Sequence, residues 1–265
     1  SLAIEKGVTF HLDTAVTNLH LIGNHISYIE TSKGKFDVDK VLSSADYHHT
    51  EQSLLPLEKR TYSEKYWKSR TFAPSSLIFY LGINKKIQNL EHHNLFFDED
   101  IQKHAAEIYQ EPKWPTKPLF YVCCPSKTDA STAPVGMENI FILMPIATDL
   151  LDTEEIRDKY FKVILNRIQK YVGEDISQAI VFKRSYCVAD FKSDYNAYKG
   201  NAYGLANTLK QTAFLKPKIK SKKVENLYYT GQLTVPGPGV PPSIISGQLV
   251  ANQLIKDIKE HETVI

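Results

Sequence analysis

The segment that decides the fold runs from Tyr228 to Ser243 and reads YYTGQLTVPGPGVPPS. It predicts a short apolar strand over 226–230, a loop rich in glycine and proline over 231–242, and a helix that Ser243 opens. Glycines let a backbone approach a planar or anionic ligand closely, and a helix start offers N–H groups to an anion. Composition alone is equally typical of a plain connector, but the order strand, loop, helix favours a ligand site.

Residues 1–46 predict a helix tail followed by a small β-meander. Leu2 to Lys6, with Gly7 after them, are typical of a helix end, which predicts that further sequence precedes Ser1; a frayed natural terminus is the alternative. Gly23-Asn24 predicts a hairpin turn. Strands are predicted over residues 8–10, 15–21, 25–32 and 36–43.

The middle of the chain predicts an α+β domain. Residues 47–70 have a polar, helix-like pattern, and one long helix is predicted with Asp152 as its cap, Glu155 reaching back, and Gly173 at its end. Its apolar face is predicted to be Ile156, Tyr160, Val163, Ile164, Ile168 and Tyr171. Strands are predicted over 76–83, 119–124, 140–144 and 180–186. Four strands and a long helix predict a mixed sheet with helices on one side.

Composition excludes several classes of function. The chain has 265 residues, 42% of them hydrophobic, and a formal net charge of +2, which is too small an excess to argue for nucleic acid. None of the three cysteines belongs to a CxxC pair, so reduced structural thiols in a cytosolic protein are expected. No run of 18 apolar residues occurs, so any membrane contact is expected to be peripheral.

Clusters of polar residues predict neither a metal site nor a catalytic group. Adjacent histidines, as in His48-His49 and His92-His93, do not share one face of a strand or helix, so no metal is expected. The same spacing argument applies to Cys123 and Cys124. The acidic and aromatic stretch over 190–195 is interpreted as a solvated loop, and no catalytic residue is assigned.

Beyond these patterns, the chain resembles the phytoene desaturase family of bacterial carotenoid desaturases, within the wider amine-oxidase-like FAD proteins. The segment over 228–243 resembles the C-terminal flavin-contacting motif of that family. Further similar segments follow in order along nearly the whole chain: Leu42–Asp46, Tyr121–Asp129 with Ala133, Pro134 and Gly136, Glu138–Phe141, and Gly200–Gly204 with Gln211. Lys216-Pro217 departs from the family, many of whose members have Arg-Pro there.

The resemblance implies a two-lobed FAD oxidoreductase. Residues 1–48 and 226–265 would belong to a Rossmann-like, glutathione-reductase-type α/β flavin lobe, present only as a remnant. Residues 49–225 would form an α+β substrate lobe whose mixed sheet covers a long apolar tunnel. The GxGxxG fingerprint of the flavin lobe does not occur in the sequence, so this chain alone is expected to be inactive and to bind FAD weakly.

The resemblance also implies which residues contact FAD. Val16 would meet the adenine end, Gly231 and Gln232 the pyrophosphate and ribityl chain, and Gly239, Val240 and Pro241 the isoalloxazine edge. Ala45 and Ser243 complete the predicted set.

The implied reaction moves a hydride from a long linear C40 polyene, phytoene in the first instance, to FAD, with oxygen or a quinone as the later electron acceptor. The expected location is cytoplasmic and peripheral to the membrane, with no nucleic acid or metal partner. Sister activities stay open: a hydroxycarotenoid desaturase, a carotene isomerase or a polyene saturase. A flavin-free carotenoid-binding module is the alternative from a different class.

Overall fold

The computed structural model describes residues 1–262, and side chains as far as Glu260. It divides into two units: residues 1–70 together with Thr208 onward, and residues 71–207. The sequence predicted lobe boundaries at residues 48 and 225, on the basis of which segments bind flavin and which bind substrate. That assignment stays a prediction.

The first unit opens with a short helix, α1 (Leu2–Glu5), and an antiparallel meander. The strands are β1 (Val16–Ile22), β2 (His25–Thr31) and β3 (Gly34–Asp37), in the order β1-β2-β3. Residues 8–10 do not form the predicted strand, and Val8 and Phe10 are about half exposed, so no burial favours one. The strand predicted over 36–43 is two strands, because the chain leaves the meander after Asp37 and forms β4 at Val41–Ser43.

Parallel pairing joins β4 to a strand from the far end of the chain. That strand is β10 (Leu227–Tyr229), and Leu227 and Tyr229 pair with Val41 and Ser43. The side chain of Asn226, fully buried, connects this pair to the meander. Its amide oxygen accepts from Ile26 N at 2.8 Å, and its amide nitrogen donates to the carbonyls of Ile26 at 2.8 Å and Asp39 at 3.0 Å. Asn226 therefore replaces the ladder hydrogen bonds missing where the two sheets meet.

Helices of the first unit surround an aromatic core. The stretch over 47–70 contains α2 (Tyr47–Leu54), a 3-10 turn, and α3 (Glu64–Lys68), and the last helix of the unit is α7 (Val240–Glu262). Tyr47 stacks on Tyr229 with ring centroids 3.7 Å apart. Beside them, the buried Glu51 accepts the N–H groups of Thr61 and Tyr62, each at 2.9 Å. Burial raises the pKa of Glu51, although these hydrogen bonds act in the opposite direction.

The second unit is a five-stranded sheet with the order β6-β7-β8-β5-β9. Its strands are β5 (Ser75–Ile83), β6 (His93–Phe96), β7 (Phe120–Cys123), β8 (Glu138–Ile146) and β9 (Ile180–Tyr186); its helices are α4 (Ile101–Tyr109), α5 (Glu154–Val172) and α6 (Val188–Tyr195). The four predicted strands are all present, and β6 is an addition. Every described strand pair of this sheet is antiparallel, so the predicted mixed sheet is corrected to an antiparallel one.

The long helix α5 covers one face of the sheet, and its cap differs from the prediction. Thr153, not Asp152, accepts from Ile156 N at 3.4 Å. Asp152 instead binds the Arg157 guanidinium at 2.6 Å and accepts from Ala189 N, so its carboxylate is already used. On the predicted apolar face, Val163 (39% exposed) and Tyr171 (56% exposed) point away from the core.

The opposite face of the sheet is less covered and carries aromatic side chains. We call it the open face. Two cross-strand rows follow from the register: Leu95, Tyr121, Leu143, Ile78 and Tyr186 in the first, and His93, Cys123, Phe141, Tyr80 and Arg184 in the second. Along β8 the two faces alternate strictly between buried and half-buried. Phe141 packs against both Tyr80 and Tyr121, with centroids 5.5 and 6.4 Å apart.

Candidate functional site

Two segments singled out by the sequence follow neighbouring strand ends in the first unit. Since β4 and β10 are parallel, their carboxyl ends meet, and Thr230 N donates to Ser43 O at 3.0 Å. Ala45 follows one strand end, and Gly231 and Gln232 follow the other. Ligands of open α/β sheets bind beyond the carboxyl ends of the strands. The structure therefore places these two predicted segments side by side at an edge suited to a ligand.

Gly231 has a backbone that favours glycine and an open side. Its φ is +103°, and a Cβ built on it would have no heavy atom within 4 Å. The other side is held in place, because Gly231 N donates to the Ser246 hydroxyl at 2.8 Å and Gly231 O accepts from the Thr234 hydroxyl at 2.9 Å. A fixed backbone with one free side fits a flat or extended ligand that approaches closely.

The helix after the loop begins at Val240, three residues before the predicted start at Ser243. Proline is tolerated in a first turn, where its missing N–H is not needed, so Pro241 and Pro242 lie inside the helix. Ser243 N donates to Gly239 O at 3.0 Å, so this N–H group is already used within the helix, and the contact of Ser243 with the cofactor stays a prediction. Gly239 and Val240, both exposed, carry the N–H groups at this end.

Ser246 fixes the start of α7 against the end of β10. Its buried hydroxyl lies 2.7 Å from the Thr230 hydroxyl and donates to Ser243 O at 2.8 Å. A Cβ on Gly247 would lie 4.0 Å from the same Thr230 hydroxyl, an ordinary contact distance, so the packing at this point does not require glycine. The sequence analysis missed Ser246, because nothing local distinguishes it from other serines on a helix.

Asp257 secures the other end of α7. This buried carboxylate accepts from Tyr228 OH at 2.6 Å, from Gln253 at 2.7 Å and from Lys220. Burial alone would raise its pKa, but the three hydrogen bonds outweigh burial and hold the pKa at about 2.

Asp257 should make the stability of the protein depend on pH in the acidic range. Its pKa lies below the ordinary 3.8, so its contribution is complete above about pH 4 and is lost as the pH falls towards 2. We expect Asp257→Asn to lower the free energy of unfolding by about 2 kcal/mol at pH 7. Urea unfolding of both proteins at pH 7 and near pH 2.5 measures this difference. A difference that stays constant across that range would contradict the assignment.

Val16, the residue predicted at the adenine end, begins the first strand of the meander. It pairs with Thr31 and is 37% exposed. It thus lies in a different sheet from β4 and β10, and its link to them runs through the meander and Asn226. Its contact with a cofactor stays a prediction.

The Pro125 to Asp129 segment, part of the family resemblance, binds the buried Glu138 side chain in the second unit through Ser126 and Lys127. Glu138, fully buried, binds Lys127 Nζ at 2.9 Å and accepts from the hydroxyl of Ser126. Burial would raise the pKa of Glu138, but the hydrogen bonds from Ser126, Lys127 and Cys124 lower it. The segment therefore joins the end of β7 to the start of β8 and has a structural role.

Two further regions differ from the sequence interpretation. Residues 190–195 belong to α6 and not to a solvated loop, and Asp190 accepts from Cys187 N at 2.8 Å and pairs with Arg157. Lys216, at the position where the family often has arginine, is almost fully buried, and burial lowers its pKa.

The whole described chain, apart from its last residues, matches a known protein family. The model of the family described as "Flavin containing amine oxidoreductase" matches residues 1–255. The chain belongs to this family. The resemblance found in the sequence is thereby confirmed, and the family match supports FAD as the cofactor.

Two similar curated proteins are named as carotenoid enzymes. The chain is 43% identical over 258 residues to a carotenoid 3,4-desaturase of Haloarcula japonica, covering 97% of this chain and 52% of the relative. It is 31% identical over 258 residues to a 4,4'-diaponeurosporene oxygenase of Staphylococcus aureus, covering 96% and 51%. The chain thus spans about half the length of the curated relatives it matches.

Solved structures agree on the fold. A putrescine oxidase variant matches with a TM-score of 0.59 at 10% identity, covering 96% of this chain and 51% of the other. An oxidoreductase from Methanosarcina mazei matches with a TM-score of 0.56 at 12% identity, covering 94% and 51%. The predicted fold class, an α/β part together with an α+β part, is confirmed.

Proposed function

We propose that the protein desaturates a long linear carotenoid with FAD as cofactor. The observation that carries this proposal is the 43% identity to a carotenoid 3,4-desaturase over 97% of the chain. The same likeness favours desaturation at a C3–C4 bond of an existing carotenoid. Phytoene, the substrate predicted from the sequence, is the alternative, supported by the motifs that resemble the phytoene desaturase family.

The open face supports an apolar, extended substrate. Five strands about 4.8 Å apart give a surface about 19 Å wide. Leu95 and Phe182 on it are 65% and 55% exposed, and Tyr80 is 40% exposed. A polyene laid on this face would bury these side chains and gain about 25 cal/mol for each Å² of apolar surface removed from water. We propose that the face orients the substrate and excludes water from it.

The strand ends of the first unit are proposed to hold the cofactor. When bound, FAD supplies the hydride acceptor of the reaction. Gly231 and Gln232 would contact the pyrophosphate and ribityl chain, and Gly239, Val240 and Pro241 the isoalloxazine edge. Ala45 would lie beside Gly231, and Val16 would face the adenine end. Ser243, in the first turn of α7, would complete the set, with its N–H already bonded to Gly239 O.

The substrate suggests where the protein works. None of the helices in the described residues is long and apolar enough to cross a membrane. A carotenoid is stored in lipid, so we propose that the protein acts at the membrane surface from the cytoplasmic side. Oxygen or a quinone would then reoxidise the reduced cofactor.

Activity on defined pigments tests the proposal. The flavin-loaded protein would be incubated with liposomes that contain either phytoene or a linear carotenoid saturated at C3–C4, and the extracted pigments would be measured by absorption. We expect a red-shifted product from the second substrate. A red shift from phytoene alone would establish the alternative. Peroxide formed from small amines, with no change in either pigment, would overturn the carotenoid assignment.

A further inference from the structure

A cluster of two histidines and a cysteine lies at the edge of the five-stranded sheet. His93 on β6 is directly opposite Cys123 on β7, and Cys124 N donates to His92 O at 2.8 Å, which keeps His92 beside them. One possible ligand atom from each of His92, His93 and Cys123 lies within 4.8 Å of the others. Ligand atoms around a tetrahedral metal, at bond lengths of about 2.0–2.3 Å, lie about 3.3–3.7 Å apart, so these side chains would have to move together by about 1 Å to share one ion.

The adjacent spacing of the two histidines does not exclude a metal here. Alternation of side chains holds inside a strand, but His92 lies at a bend just before β6 begins. The ring centroids of His92 and His93 are consequently only 4.1 Å apart. The third group comes from another strand, a contact that spacing along the chain does not reveal.

Hydrogen bonds hold both imidazole rings by one nitrogen. Nδ1 of His92 lies 2.6 Å from the Thr128 hydroxyl, and Nδ1 of His93 is hydrogen-bonded to the Tyr121 hydroxyl. Histidines that bind metals characteristically have such a partner on the second ring nitrogen, which fixes the tautomer and the orientation. A metal bound through the other nitrogen, Nε2, of each ring would leave both of these hydrogen bonds in place.

We propose that His92, His93 and Cys123 bind a divalent metal of the zinc type. A thiolate with two imidazoles suits Zn²⁺, whereas Mg²⁺ and Ca²⁺ prefer carboxylate and carbonyl oxygens, which this set lacks. On binding, the Cys123 sulfur loses its proton to solvent and forms the metal bond, and water completes four-fold coordination. The metal would fasten the edge strand β6 to β7, so its role is to stabilise the sheet.

Zinc and cobalt titrations test the site in the flavin-loaded protein, kept reduced and stripped of metal by a chelator. We expect one Zn²⁺ per chain by competition with a chromophoric chelator, and a rise in melting temperature. Co²⁺ should give the visible bands of a tetrahedral thiolate site, at wavelengths longer than the flavin absorbs.

Variants separate this site from adventitious binding. Cys123→Ser should abolish the cobalt bands and weaken zinc binding by more than about 100-fold, beyond the roughly 10–100-fold expected for Thr128→Val, which removes only a partner of His92. His11→Gln, at an exposed histidine elsewhere, should change nothing. The proposal would be overturned if Cys123→Ser and His93→Asn both bound zinc as tightly as the wild type does. Absence of stoichiometric zinc binding to the wild type would overturn it as well.

Discussion

Gly231→Leu should weaken flavin binding while leaving the protein folded. The residue has a φ of +103° and an open side at the joined ends of β4 and β10, where the cofactor is proposed to lie. A leucine side chain would project into that space, and the backbone strain would cost roughly 1–3 kcal/mol in addition. We expect flavin affinity to fall by more than tenfold, equivalent to about 1.4 kcal/mol, in a titration followed by flavin fluorescence.

Gly34→Leu is the matched control for backbone strain. Gly34 has a similar φ of +126°, also has no heavy atom within 4 Å of a built Cβ, and lies in the meander. This variant should lose comparable stability and keep its flavin. If both variants retained flavin at wild-type stoichiometry, the strand ends would not be the cofactor site.

Asn226→Leu should be among the most destabilising single changes in the first unit. It leaves three backbone groups without the Asn226 side chain: Ile26 N and Ile26 O, which are buried, and Asp39 O, which is partly buried. An unsatisfied buried polar group costs about 1–3 kcal/mol, so we expect a loss of at least about 3 kcal/mol in the free energy of unfolding. Chemical denaturation followed by tyrosine fluorescence measures it.

Asn24→Ala provides the comparison for Asn226. Asn24 is an exposed turn residue whose side chain accepts from Lys59 and, within residues 1–260, from no other group, so its loss should change stability by less than about 0.5 kcal/mol. Equal effects of the two substitutions would show that Asn226 does not carry the junction between the sheets.

Local patterns predicted the elements well where burial and turns agree. The hairpin at Gly23-Asn24 and four of the five strands of the second unit follow directly from alternation and turn residues. The ends of the elements were predicted less accurately, because neighbouring residues can each serve as the cap or the first residue of a helix. Thr153 caps α5 since Asp152 is engaged by Arg157, and α7 starts at Val240 since prolines fit its first turn. The strand β6 was missed although β7 has the same length, because two of its four residues, His93 and Asn94, are polar, whereas the sequence of β7 is FYVC.

The candidate site was partly visible in the sequence. The order strand, loop, helix located Gly231 and Gly239, and the family resemblance supplied the segment around Ala45. Side chains that act across long separations could not be found in this way. Ser246 and Asp257 hold α7 to β10, and Cys123 meets His92 from another strand, all through contacts that depend on the finished fold.

The bond between Ile26 and Asn226 joins residues 200 positions apart in the chain. A ribosome adding about 5–20 residues per second needs roughly 10–40 s to make that interval. During synthesis the edge of β4 therefore stays unpaired until β10 has been made. The strands of residues 71–207 are complete, and able to pair with one another, before β10 emerges. Unpaired edges are where chains associate wrongly. The vulnerable period in the biogenesis of this protein should thus belong to its first unit, and chaperones that shield nascent strands should matter most there.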